Sequence, residues 1–329
     1  MKQLSPEAIL SISEKEFLDA LDEGLLLSNR EKIRFYAPSF MYYKTSHYCS
    51  SPEDFPTISI TGRSCGLGCK HCGGLVLDTM YPALTPERLY NLCVRLKRKG
   101  ALGCLISGGC LPDGSVPVNR FLDAFEKIKR ELDLTVFVHT GIINSGTAEA
   151  LNKARVDAAL IDIIGSDETI NEICKLNTKV EDYSNSLRAL HESGVPFIPH
   201  VVVGLHYGKL KGEMHALEMI SQYKASALVI IAFMPIRGTE MENVEPSKPS
   251  EIARVTAAAR LMFPETPLVL GCMRPKGKHR AKTDILAIKA GVDAIAFPSE
   301  DAVRYAEDRG CRVTYSSLCC SQIYVDIRS

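Results

Sequence analysis

The sequence predicts an α/β chain: a (β/α)8 TIM-type barrel with an N-terminal helical cap and a C-terminal tail. Three observations predict it. From Thr57 onward, short apolar runs alternate eight times with amphipathic stretches, the pattern of a parallel sheet with helical crossovers. Glycines end several of those stretches, at Gly100, Gly194 and Gly291, where a left-handed helix terminus costs them least. The 329 residues suit one large barrel, and crossovers of one hand close such a series on itself. A six-unit partial barrel with two appended units is the alternative.

Residues 1–56 form the expected cap. Ser13 to Leu21 has helical spacing, while Tyr36 to Tyr48 is aromatic and polar without a period, as in a cover over a barrel end. Residues 57–310 form the barrel. Its strands are expected at 57–61, 103–107, 135–140, 158–163, 197–204, 227–233, 267–271 and 294–297. Its helices are expected at 85–99, 118–132, 146–154, 180–193, 212–223, 249–262, 281–290 and 299–309. Thr85-Pro86 opens one of them with a cap residue and a proline at the first helical position. Residues 311–329 are the tail.

Lysine plus arginine and aspartate plus glutamate both number 39, which argues against broad electrostatic binding to nucleic acid. No apolar run reaches the roughly 20 residues that cross a bilayer, and the first residues lack a secretory apolar stretch. The expectation is a cytoplasmic protein that binds neither nucleic acid nor membrane. Twelve cysteines in a reducing compartment read first as metal ligands rather than disulfides.

Cys65, Cys69 and Cys72 form a C-x3-C-x2-C cluster in Cys65-Gly-Leu-Gly-Cys69-Lys-His-Cys72-Gly-Gly, just after the first strand. Three thiolates in one loop hold three irons of a [4Fe–4S] cube and leave the fourth open, whereas electron-storage clusters use four cysteines. Glycines 66, 68, 73 and 74 supply the positive φ and close approach that such a loop needs. Zinc is the alternative, but zinc sites pair two CxxC hooks and no second one exists.

This spacing resembles the signature of the radical S-adenosylmethionine (SAM) superfamily. The resemblance implies that the open iron chelates the methionine end of SAM and that reduction yields a 5′-deoxyadenosyl radical. His71 stands where that family carries an aromatic residue packing on adenine. Ser107-Gly108-Gly109-Cys110 resembles the family's Gly-Gly-Glu segment that contacts the SAM amino group, with Cys110 at the glutamate position; a plain tight turn is the alternative. His139, Asp162, His200 and Gly204 fall at successive strand ends, where barrel active sites lie. His139, Asp162 and Gly204 are cofactor-binding candidates there. Met234, Gly238 and Thr239 lie in a segment similar to the Pro-x-x-Gly-Thr loop of biotin-synthase-like enzymes, which contacts adenine.

Vicinal Cys319 and Cys320, with Cys272 and Cys49, are candidate ligands of a second, auxiliary iron–sulfur cluster. A regulatory dithiol or a disordered end are the alternatives. Arg274 reads as a carboxylate clamp, a cluster ligand by resemblance, or a rim arginine. The basic loop at Lys276, Lys278, His279 and Arg280 reads as solvated or as a dock for an acidic carrier protein.

The pattern as a whole is similar to the biotin synthase branch. Within it, the cysteine loop, Gly-Cys-Met-Arg-Pro and the Cys-Cys tail resemble archaeal-type two-protein lipoyl synthases. That resemblance implies sulfur insertion into an octanoyl chain on a carrier protein, a second radical SAM protein as partner, and ferredoxin or flavodoxin as electron donor. Cys104 lies near one position of biotin synthase's second-cluster cysteines, while His139 and His200 fall in the regions of others. The rival readings are a mutase or maturase without sulfur insertion and a non-catalytic iron–sulfur or zinc protein.

Overall fold

The computed structural model describes residues 5–24, 31–39, 42–51 and 53–327. Among the described residues, eleven strands form one sheet, parallel throughout. They are β1 (Lys32–Tyr36), β2 (Thr57–Ser59), β3 (Tyr81–Pro82), β4 (Gly103–Ser107), β5 (Thr135–His139), β6 (Ala158–Ile163), β7 (Phe197–Val203), β8 (Leu228–Ala232), β9 (Leu268–Leu270), β10 (Ala294–Ala296) and β11 (Arg312–Ser316). The spatial order is β11-β1-β10-β9-β8-β7-β6-β5-β4-β2-β3.

All eight expected barrel strands are present and neighbour one another in chain order. Closure is not made in the expected way. The eighth strand, β10, pairs with β9 and β1, while the first, β2, pairs with β4 and β3. The N-terminal segment takes the free edge of β10, so the sheet curves as a half-barrel. This narrows the reading of residues 1–56 as a cap over a barrel end: the Tyr43 hydroxyl donates to Pro298 O at 2.8 Å and Tyr48 stacks on Tyr315, so that part does lie over the strand ends, but the segment before it does not. Lys32–Tyr36 is a sheet strand, and α1 (Pro6–Ser11) and α2 (Glu14–Asp22) pack through Ile9, Phe17 and Leu21 against α9 (Pro249–Met262) and α10 (Lys278–Lys289). Both termini therefore continue one sheet, and the boundaries at 56/57 and 310/311 separate no independent core.

Burial on both faces is why these strands read as continuous apolar runs; all five residues of β8 are buried. The two-residue strand period divides them between two cores. Outward residues such as Cys104, Val136, Val138, Ala159, Ile161 and Val201 meet the helices. Phe137, Leu160, Ile198, Val229 and Val269 point inward. Between the strands lie α3 (Pro86–Arg98), α4 (Leu122–Leu132), α5 (Ser145–Lys153), α6 (Asp167–Glu172), α7 (Val180–Ser193), α8 (Glu213–Ser221) and α11 (Glu300–Asp308). Capping sets their starts: Thr85 Oγ1 accepts from Arg88 N at 3.2 Å, with Pro86 opening the helix.

The chain's last described segment fills the interior. Cys319, Cys320 and Ile323 belong to the inner core, with Tyr324 packed against it. The Tyr324 hydroxyl donates to Asp157 O at 2.6 Å, and Asp326 takes a 2.7 Å bond from the Tyr36 hydroxyl and a 3.0 Å ion pair from Arg34. The tail thus runs from the C-terminal strand ends to the N-terminal ends. Among the described residues no helix is long and apolar enough to cross a membrane.

Candidate radical SAM site

The cysteine loop follows β2, at the C-terminal end of the sheet. Its fold is set by backbone contacts. Lys70 N donates to Ile173 O at 2.8 Å, and Cys69 Sγ donates to Cys174 O at 3.3 Å, which docks the loop on the turn after α6. Gly73 N donates to Cys69 O at 2.8 Å, and Gly73 and Gly74 both hold positive φ, +53° and +79°. A side chain would be strained at either.

The ligand atoms of Cys69, His71 and Cys72 lie within 4.8 Å of one another. Cys65 stands outside that tight group but beside it: a Cβ on Gly74 would lie 3.7 Å from Cys65 Cβ. The Cys72 thiol is pushed up to about 12, first by its hydrogen bond with Cys69 and then by burial. Cys69 is raised as well, chiefly by its bond to Cys174. The buried Nδ1 of His71 has no partner. Three convergent sulfurs, an orphaned ring nitrogen and open space beside Gly68 and Gly73 fit a group of cluster size. They fit it better than a closed protein core, which leaves few polar atoms unpaired.

Gly108 and Gly109 press against this loop. A Cβ on Gly109 would lie 2.0 Å from Ser64 O and 2.6 Å from Cys65 Cα. The Gly109 N–H is taken by Thr61 Oγ1 at 2.7 Å, and Ser107 O accepts from Ile60 N at 2.8 Å. The glycine pair is needed for close packing. The Gly109 N–H is thus engaged within the protein.

The strand period points His139, Asp162 and His200 into the half-barrel together. His139 Nε2 lies 3.6 Å from Asp162 Oδ2, and the two imidazole rings are 6.0 Å apart. Burial alone would raise Asp162, but the nearby His139 outweighs it and holds the carboxyl at about 2. Burial likewise works against charge on His139, and Asp162 reverses it, so His139 is raised. His200 is lowered to about 4 by burial, against a smaller pull from Asp162. The Asp162 carboxylate, a histidine whose proton it holds more tightly and a neutral His200 imidazole therefore line this wall.

Other candidates divide. The 234–239 loop lies near the cysteine loop, since a Cβ on Gly238 would sit 3.5 Å from Leu75 Cδ1. Met234 is half-buried and the Thr239 hydroxyl donates to Ile236 O at 2.7 Å. Gly204 is explained by packing: its N–H donates to Glu213 Oε1 at 2.8 Å, and a Cβ would meet Ser247 Oγ at 2.1 Å. Packing by itself therefore accounts for a glycine at this position. Arg274 is no rim residue or ligand clamp. It is fully buried, with Nε donating to Asp284 Oδ1 at 2.7 Å and Nη2 to Phe297 O at 3.2 Å.

Cys272, Cys319 and Cys320 share the inner core and each senses another's charge, but their sulfurs do not all lie within 4.8 Å of one another as the loop's ligand atoms do. A hydrogen bond from Cys320, with help from the Ser321 N–H, lowers Cys319 to about 7. Cys49 does not join them. It is exposed and points to Ser50 O at 3.8 Å. Cys104 faces outward and pairs with Cys93 instead of the interior. Two site residues escaped the sequence reading: Thr61, which pins the glycine pair, and Tyr183, buried where it senses Cys174, Asp162, Cys110 and Cys69. Neither lies in a motif, so only proximity reveals them.

Residues 59–216 match the model of the radical SAM superfamily. A biotin synthase of Leptospira biflexa is 25% identical over 69% of this chain and 60% of its own length. One from Zymomonas mobilis is 22% identical over 84% and 83%. The chain spans 60% and 55% of the first two curated relatives it matches. Among solved structures, a methylornithine synthase shares the fold at TM-score 0.63 and 17% identity, covering 99% of this chain and 96% of that one. The [FeFe]-hydrogenase maturase HydG aligns at TM-score 0.67 and 14% identity over 99% and 74%. The motif loop, its place at the C-terminal end of a curved parallel sheet and these likenesses agree: residues 59–216 carry a radical SAM domain, similar to that of biotin synthases, and the cofactors of that superfamily are a [4Fe–4S] cluster and SAM.

Proposed function

We propose that the chain is an enzyme that holds its cluster on Cys65, Cys69 and Cys72 and inserts sulfur into unactivated C–H bonds of an octanoyl chain on a carrier protein. The observation that carries it is the pairing of that loop with a second set of thiols, Cys272, Cys319 and Cys320, along the interior below. When bound, the cluster and SAM supply an electron and a carbon-centred radical able to abstract an unactivated hydrogen. Cys65, Cys69 and Cys72 leave one iron to SAM. Ser107, Gly108, Met234, Gly238 and Thr239 border the nucleoside. His71 borders it too. His139 and Asp162 form a charged wall that orients polar groups, and the apolar inner core excludes water. Cys272, Cys319 and Cys320 hold a sulfur-bearing auxiliary cluster. A second radical SAM protein and a ferredoxin or flavodoxin complete the system.

Anaerobic reconstitution with dithionite, SAM and an octanoyl peptide tests this. The expected outcome is about eight irons per chain, 5′-deoxyadenosine and a thiolated peptide. About four irons with deoxyadenosine but no thiolation removes sulfur insertion and favours a mutase or maturase. Zinc in the loop with no deoxyadenosine removes the enzyme reading altogether.

A further inference from the structure

Cys110 stands at the mouth of the cysteine loop, and the proposed function leaves it without a role. Its backbone is clamped there. Gly66 N donates to Cys110 O at 2.7 Å, and a Cβ on Gly66 would lie 3.0 Å from the same oxygen. The preceding residue is in contact with the first cluster cysteine, since a Cβ on Gly109 would sit 2.7 Å from Cys65 Cβ. Cys110 and Cys72 are both half-buried on the edge of the same apolar core. Burial raises the Cys110 thiol, and Cys65, Asp162 and Cys72 add to that rise. Its Sγ makes no hydrogen bond among the described residues. A fourth sulfur therefore borders a site whose other three come from one loop. It also approaches from a different strand, across the loop from the motif.

We propose that Cys110 is an exchangeable fourth thiolate ligand, closing the open iron until SAM arrives and then yielding it. This rests on the reading of Cys65, Cys69 and Cys72 as the cluster site. The exchange balances without a redox partner. The iron–sulfur bond to Cys110 breaks and the sulfur keeps the electron pair. SAM's ammonium loses one proton, and its nitrogen and carboxylate bind the iron. The released thiolate takes up that proton. A capped corner shields the resting cluster from oxidants and from loss of its unique iron. The same residue, freed, becomes a thiol beside the bound nucleoside. Gly66 and Gly109 matter because any side chain there would push the Cys110 backbone away from the loop.

Two measurements on the reconstituted full chain test it. In the first, the SAM-free [4Fe–4S] protein is treated with limiting oxidant, and [3Fe–4S] formation is followed by EPR in wild type, Cys110→Ser and Cys110→Ala. The expected result is severalfold faster iron loss in Cys110→Ala, with added SAM protecting all three proteins alike. In the second, the thiols are alkylated with iodoacetamide and mapped by mass spectrometry. SAM should increase labelling of Cys110 severalfold while the three loop cysteines stay protected. Equal iron loss in all three proteins, or Cys110 labelling that SAM lowers or leaves unchanged, overturns the proposal. Failure of Cys65, Cys69 and Cys72 to bind a cluster would instead overturn the reading beneath it, and iron content distinguishes the two.

Discussion

Two groups of cysteines in this chain reach convergence by opposite routes. Cys65, Cys69 and Cys72 come from one eight-residue loop whose own hydrogen bonds and left-handed glycines shape it. Cys272, Cys319 and Cys320 come from a strand end and a tail separated by more than forty residues, gathered only because the tail enters the half-barrel. The first group is local and needs little of the fold beyond three docking contacts, to Cys110, Ile173 and Cys174. The second exists only when β9, the Arg274–Asp284 pair and the terminal segment are all in place. Local sites tolerate distant damage; assembled sites fail with their scaffold.

The largest effect should come from replacing Cys65, Cys69 and Cys72 together by alanine. SAM cleavage should fall to background, with the interior thiols still able to bind iron; loss of all iron would break the distinction between the two sites. Next, Arg274→Ala leaves Asp284 buried and uncompensated, a loss of about 3–5 kcal/mol. Urea unfolding should report it, and iron at the interior site should decline before iron at the loop. Equal decline at both would show that the loop too depends on that ion pair. Gly109→Ala should do the reverse. Its Cβ meets Ser64 O and Cys65, so about 1–3 kcal/mol is lost to overpacking, and loop iron should fall while Cys319 and Cys320 keep theirs.

The Cys319→Ala/Cys320→Ala pair should lower iron content by the interior share alone; unchanged iron and EPR would end the auxiliary-cluster proposal. The smallest effect concerns Asp162→Asn. Asp162 lies low, near 2, so its ion pair contributes stability above the ordinary carboxylate range near ~3.9 and loses it as pH falls toward about 2. His139 is raised, so its part is complete below its ordinary value of ~6.5 and is lost as pH climbs through its higher folded value. Removing the carboxylate should lower the His139 pKa in an NMR titration. A His139 pKa unmoved by the change would show that the two side chains do not share a charge.

The eight strand–helix units were legible because apolar runs and helical periodicity are local signals. The cluster loop was legible because three cysteines and their glycines fall within ten residues. Arg274 was misread for a different reason. An arginine at a strand end looks the same in sequence whether it faces a ligand or is sealed in the core, and only Asp284, ten residues on, decides. Gly204 and Gly109 looked like ligand-facing glycines, and the neighbours whose packing by itself demands them, Ser247 and Ser64, lie far away in the chain or across a turn. Cys49 sat near aromatic residues in the sequence and was grouped by residue type alone.

By itself the sequence determined the parallel α/β architecture, the cluster loop and the inward layer of His139, Asp162 and His200, since each follows from spacing along one strand or one turn. Only the tertiary structure decided that β1 takes the edge where closure was expected, that the tail occupies the interior, and that Cys110 borders the loop. Those are pairings between distant segments, won by edge hydrogen bonds and apolar burial that no local pattern encodes.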